Sequence, residues 1–202
     1  MGGRRASDVQ ISMSTMYRYA SWLLLIGCTS PGAFMPTVPH FERAEVPLTL
    51  CVSAYSGLAD DAAGALKLTE YAVENAFTKR LGFKLFTIAQ FPGGPGHPCD
   101  ATLVVGVPHD VGMRDVNGTC EFDPAVTTGD RCQMATSNTG QDDMTTLAIE
   151  HELGHCAGLA HDDWMGSIMY PRVHEIDPMS FPPWLSDHEQ SLLRERFGPT
   201  TP

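Results

Sequence analysis

Basic side chains are scarce in this chain. Thirteen Lys and Arg stand against 24 Asp and Glu, a formal net charge of -11 with a pI of about 5.0. Phosphate backbones need a basic face, so the balance argues against a nucleic-acid partner. The acidity serves solubility and disfavours anionic surfaces and substrates. Long apolar runs are also missing. None reaches the roughly 20 residues with which a mature helix crosses a bilayer. No internal repeat is present, which argues against solenoids and propellers. What remains is a chain of 202 residues, 43% hydrophobic. That is normal for one globular domain with some processed sequence outside it.

The N-terminus carries the processed part. Arg4, Arg5 and Arg18 precede a short apolar run, Trp22-Leu23-Leu24-Leu25-Ile26, followed by Gly27 and Cys28. A basic region, an apolar core and a small residue before the cut describe an export signal. Leu25-Ile26-Gly27-Cys28 looks like a bacterial lipobox, in which the cysteine becomes the lipidated first residue of the mature protein. The expectation is a lipoprotein signal over residues 1–27, lipidation at Cys28, and a Pro-rich tether over 28–46. A plain signal peptide and secretion are the alternative. The membrane is met only through the anchor, on a periplasmic or outward surface. Met13 and Met16 are possible true starts, and the residues after Arg4-Arg5 do not fit a twin-arginine signal.

An exported chain permits disulfides, although spacing does not fix connectivity. The preferred pairs are Cys51 with Cys99 and Cys120 with Cys132. Cys156 is then left as a small buried hydrophobe.

The domain is expected over residues 47–198. Leu48, Leu50, Val52 and Ala54 alternate as a half-buried strand does. Asp60 or Asp61 starts a helix and Gly82 stops it. Between them Leu66, Val73, Phe77 and Leu81 form an apolar stripe flanked by Ala65, Ala72 and Ala76. A second strand runs from Phe83 to Phe91, and Pro92 to Gly96 is a loop. Ala101 to Val107 is nearly continuous in apolar residues, as a central strand buried on both faces would be. Residues 108–142 hold short strands and loops, including an edge strand on which an extended peptide would lie. Strand, helix, strand, strand gives an α/β (α+β) sheet with a right-handed crossover. A second long helix begins near Asp143 or Thr145 and ends at Gly158. A Pro-rich loop spans 171–184. The last helix runs from Leu185 to Phe197, with Ser186 and Glu189 as a capping box and Gly198 at its close.

The chemistry gathers on the second long helix. His151 and His155 are four residues apart, so they leave the same helical face and can grip one metal ion. Glu152 can reach a water on that metal without being a ligand. Gly158 can take the left-handed conformation that ends a helix. The turn brings back His161 as a third ligand. Three protein ligands leave a fourth position for water, the arrangement of a catalytic zinc ion.

The string from His151 to His161, followed by Ser167-Ile168-Met169-Tyr170, resembles the metzincin signature with its methionine turn. Within that group it looks most like the matrixins, the matrix metalloproteases. Met169 is the eighth residue after His161, as in matrixins, and Ile168-Met169-Tyr170-Pro171 is similar to theirs. The resemblance implies a twisted mixed sheet with two long helices, then a small C-terminal subdomain with the methionine turn and a closing helix. It implies a zinc metalloendopeptidase in which His151, His155 and His161 hold one Zn2+ and Glu152 is the general base. Met169 would lie beneath the metal. The loop at 171–184 would wall the substrate pocket, with Tyr170, Pro171 and Val173 as its binding residues; Phe181 and Trp184 could equally be core anchors. Some positions differ. Asp162 stands where matrixins carry serine, His188 and Glu189 where they pair aspartates, and Val173 where they carry tyrosine. No cysteine-switch propeptide is visible, and no Met-x-Tyr pattern makes Tyr170 a ligand.

The partner expected is a protein or peptide substrate, and the chain is expected to be a monomer. Asp162 or Asp163 is offered as an acceptor for a ligand histidine. His97, Asp100, His109 and Asp110 are candidates for a structural Ca2+ or second Zn2+ of the kind related enzymes often hold, but their spacing fits solvated loop residues better. Two other readings stay open: a lipid-anchored binding module that no longer cleaves, and a zinc amidase acting on cell-wall peptides.

Overall fold

The computed structural model describes residues 41–56, 58–90, 99–108, 118–122, 131–137, 142–172 and 184–199. The export signal with Cys28, most of the tether, the 92–96 loop, His97, His109, Asp110, Val173 and Phe181 lie outside the described residues.

Strand β1 (Leu48–Ala54) buries Leu48, Leu50 and Val52 as its alternation predicts. Cys51, on the opposite face, is buried as well, where it is joined to Cys99. Helix α1 (Ala59–Ala72) follows, with Asp60 and Asp61 in the first turn, where negative charge favours the helix dipole. The chain then makes a π-helical turn (Val73–Thr78) and a last α turn (Lys79–Leu81). The stripe predicts an uninterrupted α-helix, so this π turn is a departure from it. Gly82 stops the helix with φ of 82°, a left-handed conformation that costs glycine little. Ala65, Ala72, Val73, Ala76, Phe77 and Leu81 are buried and Leu66 packs against them. Strand β2 (Phe86–Gln90) is shorter than the run from 83 to 91.

Strands β3 (Ala101–Val107), β4 (Gly118–Phe122) and β5 (Cys132–Ser137) complete a five-stranded sheet in the order β2-β1-β3-β5-β4. The β2, β1, β3 and β5 neighbours are parallel, and β4 is antiparallel to β5 at the edge. The fold is a mixed α/β fold. β3 is central, but only Ala101, Leu103, Val105 and Val107 are buried; Thr102, Val104 and Gly106 are half-buried. Its second face is therefore only partly covered, which corrects the expectation of burial on both. Asp100 is engaged in sheet closure. Its carboxyl accepts the Thr49 N–H (2.7 Å) and its own N–H donates to the Thr49 carbonyl (2.9 Å).

Helix α2 (Asp142–Cys156) and helix α1 pack on each other and on the sheet. Helix α3 (Asp187–Phe197) closes the domain. Its capping box forms as predicted, with Glu189 N–H donating to Ser186 Oγ (3.2 Å) and Ser186 N–H to Glu189 Oε2 (2.6 Å). Arg194 reaches back to the carbonyls of Leu81 and Arg80, and Arg43 to those of Arg196 and Glu195. Packing begins ahead of residue 47. Phe41 is buried under the Arg131 guanidinium, 4.3 Å from its ring centroid, and Arg131 pairs with Glu45. Residues 41–46 thus belong to the packed domain and not to a tether.

Cys120 and Cys132 are not joined, contrary to the preferred pairing. The β4/β5 register sets Cys120 opposite Met134 and Cys132 opposite Phe122, so the thiols meet diagonally with sulfurs 3.4 Å apart. Among the described residues no helix is long and apolar enough to cross a membrane.

The Cys51–Cys99 bridge spans 48 residues. Replacing both cysteines with alanine should cost about 2–4 kcal/mol, the usual effect of opening such a loop. Denaturant midpoints of wild type and variant check this, and an unchanged midpoint contradicts it.

Candidate metal centre

Helix α2 positions the first two histidines. Its last turn closes in a Schellman arrangement: Leu159 N–H donates to the Gly154 carbonyl (2.9 Å) and Gly158 N–H to that of His155 (2.8 Å). Gly158 has φ of 93°, in the left-handed region where a side chain would be strained. The chain reverses there and returns His161 to the helix face. His155 Nε2 lies 3.1 Å from His151 Nε2 and 3.2 Å from His161 Nε2. These histidines are the one metal-capable group among the described residues, their ligand atoms all within 4.8 Å of one another.

The donor set fits zinc. Four ligands held tetrahedrally at about 2.0–2.1 Å lie about 3.3 Å from each other, close to these nitrogen separations. The ring orientations agree. His151 Nδ1–H donates to the Ile168 carbonyl (2.6 Å) and His155 Nδ1–H to the Leu159 carbonyl (2.9 Å). Each leaves its Nε2 lone pair facing the common point, which is how ligand histidines are set. Burial is the main cause that holds all three imidazoles below their usual value, His155 at about 4. They are neutral at neutral pH, the form that binds metal.

For His151 and His155 the acceptors are backbone carbonyls and not Asp162 or Asp163. Asp162 accepts the Trp164 N–H at Oδ1 (2.9 Å), and its own N–H donates to the Met169 carbonyl (3.0 Å). Its role is to shape the turn after His161 and bind it to the methionine turn.

Met169 is fully buried under α2. A Cβ on Gly154 would overlap the Met169 sulfur, so this glycine inside the motif makes the room. Ser167 Oγ accepts the Met169 N–H (2.8 Å) and donates to Glu189 Oε1 (2.5 Å). Glu189 therefore braces the methionine turn from α3. Tyr170 is half-buried against the core and Pro171 is half-buried. Cys156 is fully buried on the sheet side, next to Cys132.

Glu152 is 2% exposed, and burial pushes its carboxyl up to about 8. Its Oε2 has no hydrogen-bond partner. A Cβ on Gly118, the first residue of β4, would overlap this carboxyl. Motif spacing reveals neither Gly118 nor Ser167; the one available signal is a glycine in a helix, Gly154, where it costs about 1 kcal/mol against alanine.

Gly154→Ala should lower stability by about 1–3 kcal/mol through overpacking against Met169 and weaken zinc retention; thermal melts and metal analysis check both. A second outcome concerns pH. In the metal-free protein the folded His155 titrates at about 4 against an ordinary 6.5. The unfolded chain therefore binds the extra proton between those values. Stability is unaffected above 6.5 and falls as pH drops towards 4, by up to about 1.4 kcal/mol per unit for each such histidine. Melting temperatures in chelator across this range test the direction.

No family model and no curated protein sequence matches the chain. Among solved structures, archaemetzincin from Methanopyrus kandleri is similar over 73% of this chain and 94% of its own, at 14% identity and a TM-score of 0.42. Metalloproteinase-II from Bacteroides fragilis is similar over 76% of this chain and 54% of its own, at 14% identity and a TM-score of 0.47.

Proposed function

We propose that this chain is a zinc-dependent endopeptidase of metzincin type, closest to the matrixins in its His161-to-Met169 spacing. The observation that carries the proposal is the convergence of three neutral imidazole nitrogens, 3.1 and 3.2 Å apart, at the end of the helix that also carries the buried Glu152. His151, His155 and His161 hold one Zn2+. When bound, zinc supplies Lewis acidity, acidifying water towards a pKa of about 7 and polarising the scissile carbonyl. Glu152 takes the proton from that water and delivers it to the leaving amine. The carbonyls of Ile168 and Leu159 keep the first two rings aimed while this happens.

The substrate is an extended protein or peptide segment. Strand β4 offers the backbone groups of a sheet edge, and its first residue lies against Glu152. Tyr170 and Pro171, with Val173, wall the pocket beyond the cut. The chain acts as a monomer, exported and lipidated at Cys28. The Cys51–Cys99 disulfide supports an oxidising compartment.

Metal analysis should find one zinc per chain. Glu152→Ala should keep the zinc and lose about 100-fold or more of kcat/KM on casein or a peptide library. Chelator should abolish cleavage by the wild type. Full activity of Glu152→Ala would refute its role as base. A parallel digest of peptidoglycan separates a peptidase from an amidase.

A further inference from the structure

Two buried polar atoms near the site have no hydrogen-bond partner, Glu152 Oε2 and Thr136 Oγ1. Leaving either unpaired costs about 1–3 kcal/mol. Their positions are related. Gly118 in β4 is directly opposite Thr136 in β5. Opposed residues of an antiparallel pair point to the same face, with Cβ positions about 5 Å apart. That face is the one covered by α2. Cys132, Met134 and Thr136 are buried on it, Cys132 touches Cys156 of α2, and Gln133 on the other face is exposed. A Cβ on Gly118 would meet Oε1, Cγ and Cδ of Glu152. The carboxyl of Glu152 therefore fills the space of the missing Gly118 side chain, beside the fully buried Thr136.

We propose that Gly118 and Thr136 are positioning residues that seat the carboxyl of Glu152: Gly118 leaves the room, and Thr136 donates its hydroxyl to the carboxylate, directly or through one water. No proton is transferred; the Thr136 O–H bond stays intact and the carboxylate accepts. A rotation about the Thr136 Cα–Cβ bond between staggered wells aims the hydroxyl without moving the sheet. The seat rests on Glu152 being the base. A base must stay within hydrogen-bond reach of the proton it takes, and a carboxyl without partners has no fixed aim.

The test compares zinc-loaded wild type with Thr136→Val, Thr136→Ser and Gly118→Ala on one peptide. Thr136→Val should lower kcat about 10-fold, with KM and zinc content unchanged. Thr136→Ser, which keeps the hydroxyl, should recover most of kcat. Gly118→Ala should lower kcat by displacing the carboxyl. A wild-type kcat in Thr136→Val would overturn the seat, as would equal losses in the Val and Ser variants. Thermal stability gives a reading independent of turnover. A hydroxyl bonded to Glu152 makes Thr136→Val melt lower than wild type, whereas an unpaired buried hydroxyl makes it melt higher and overturns the proposal. If the wild type cleaves no peptide, the peptidase reading fails while the melting comparison still decides the seat.

Discussion

The site depends on how the turn at Ser167–Met169 meets the face of α2. Three contacts make that junction. The Met169 sulfur fills the notch at Gly154, the Ile168 carbonyl accepts from His151 Nδ1, and the Met169 carbonyl accepts from Asp162. One short piece of chain thus orients one ring of the histidine cluster and holds the segment carrying another. The turn is gripped from behind as well. Ser167 links it to Glu189, which also caps α3, and α3 is tied to the end of the first helix through Arg194. Each hydrogen bond is modest, about 1 kcal/mol net. Sharing Ser167 and Glu189 between two tasks makes the ligand geometry and the closing helix stand or fall together.

Burial acts on the charged groups in two opposed ways. It keeps His151, His155 and His161 neutral, which suits a metal site. The same burial favours the protonated form of Glu152, which does not suit a base. A cation held by the imidazoles would draw the carboxyl of Glu152 back towards its ionised form, because nearby opposite charge favours the charged state. The two demands are compatible only when the metal and the carboxyl are considered as one electrostatic unit.

Much of the frame was legible in the sequence, because periodicity reports which face is buried. The alternation in β1, the stripe of the first helix, the Ser186–Glu189 capping box and the turn at Gly158 all depend on residues close in sequence. The histidine cluster was legible for the same reason, since a helix and its C-cap bring His151, His155 and His161 together within eleven residues. Features that join distant segments were not. The diagonal offset of Cys120 and Cys132 follows from a strand register that spacing does not encode. Spacing fits Asp100 to a solvated loop, yet its position just before β3 places it against Thr49. The π turn at Val73–Thr78 left no mark on the stripe, because the apolar and small residues around it satisfy either helical geometry.

The least legible parts are those made by absence. Gly154, Gly118 and Gly166 each lack a side chain where another residue's atoms lie: the Met169 sulfur, the Glu152 carboxyl and the Trp164 indole. Composition treats such positions as weak points of a helix or strand. At Gly154 and Gly118 they are the places where two distant segments approach closely. At Gly118 the approach is between the sheet edge and the helix that carries the ligands. A strand with a side chain there would have to stand further from α2, and the carboxyl of Glu152 would lose the wall that limits its motion. The position of the edge strand and the aim of the proposed base are therefore one constraint, set by a single missing Cβ.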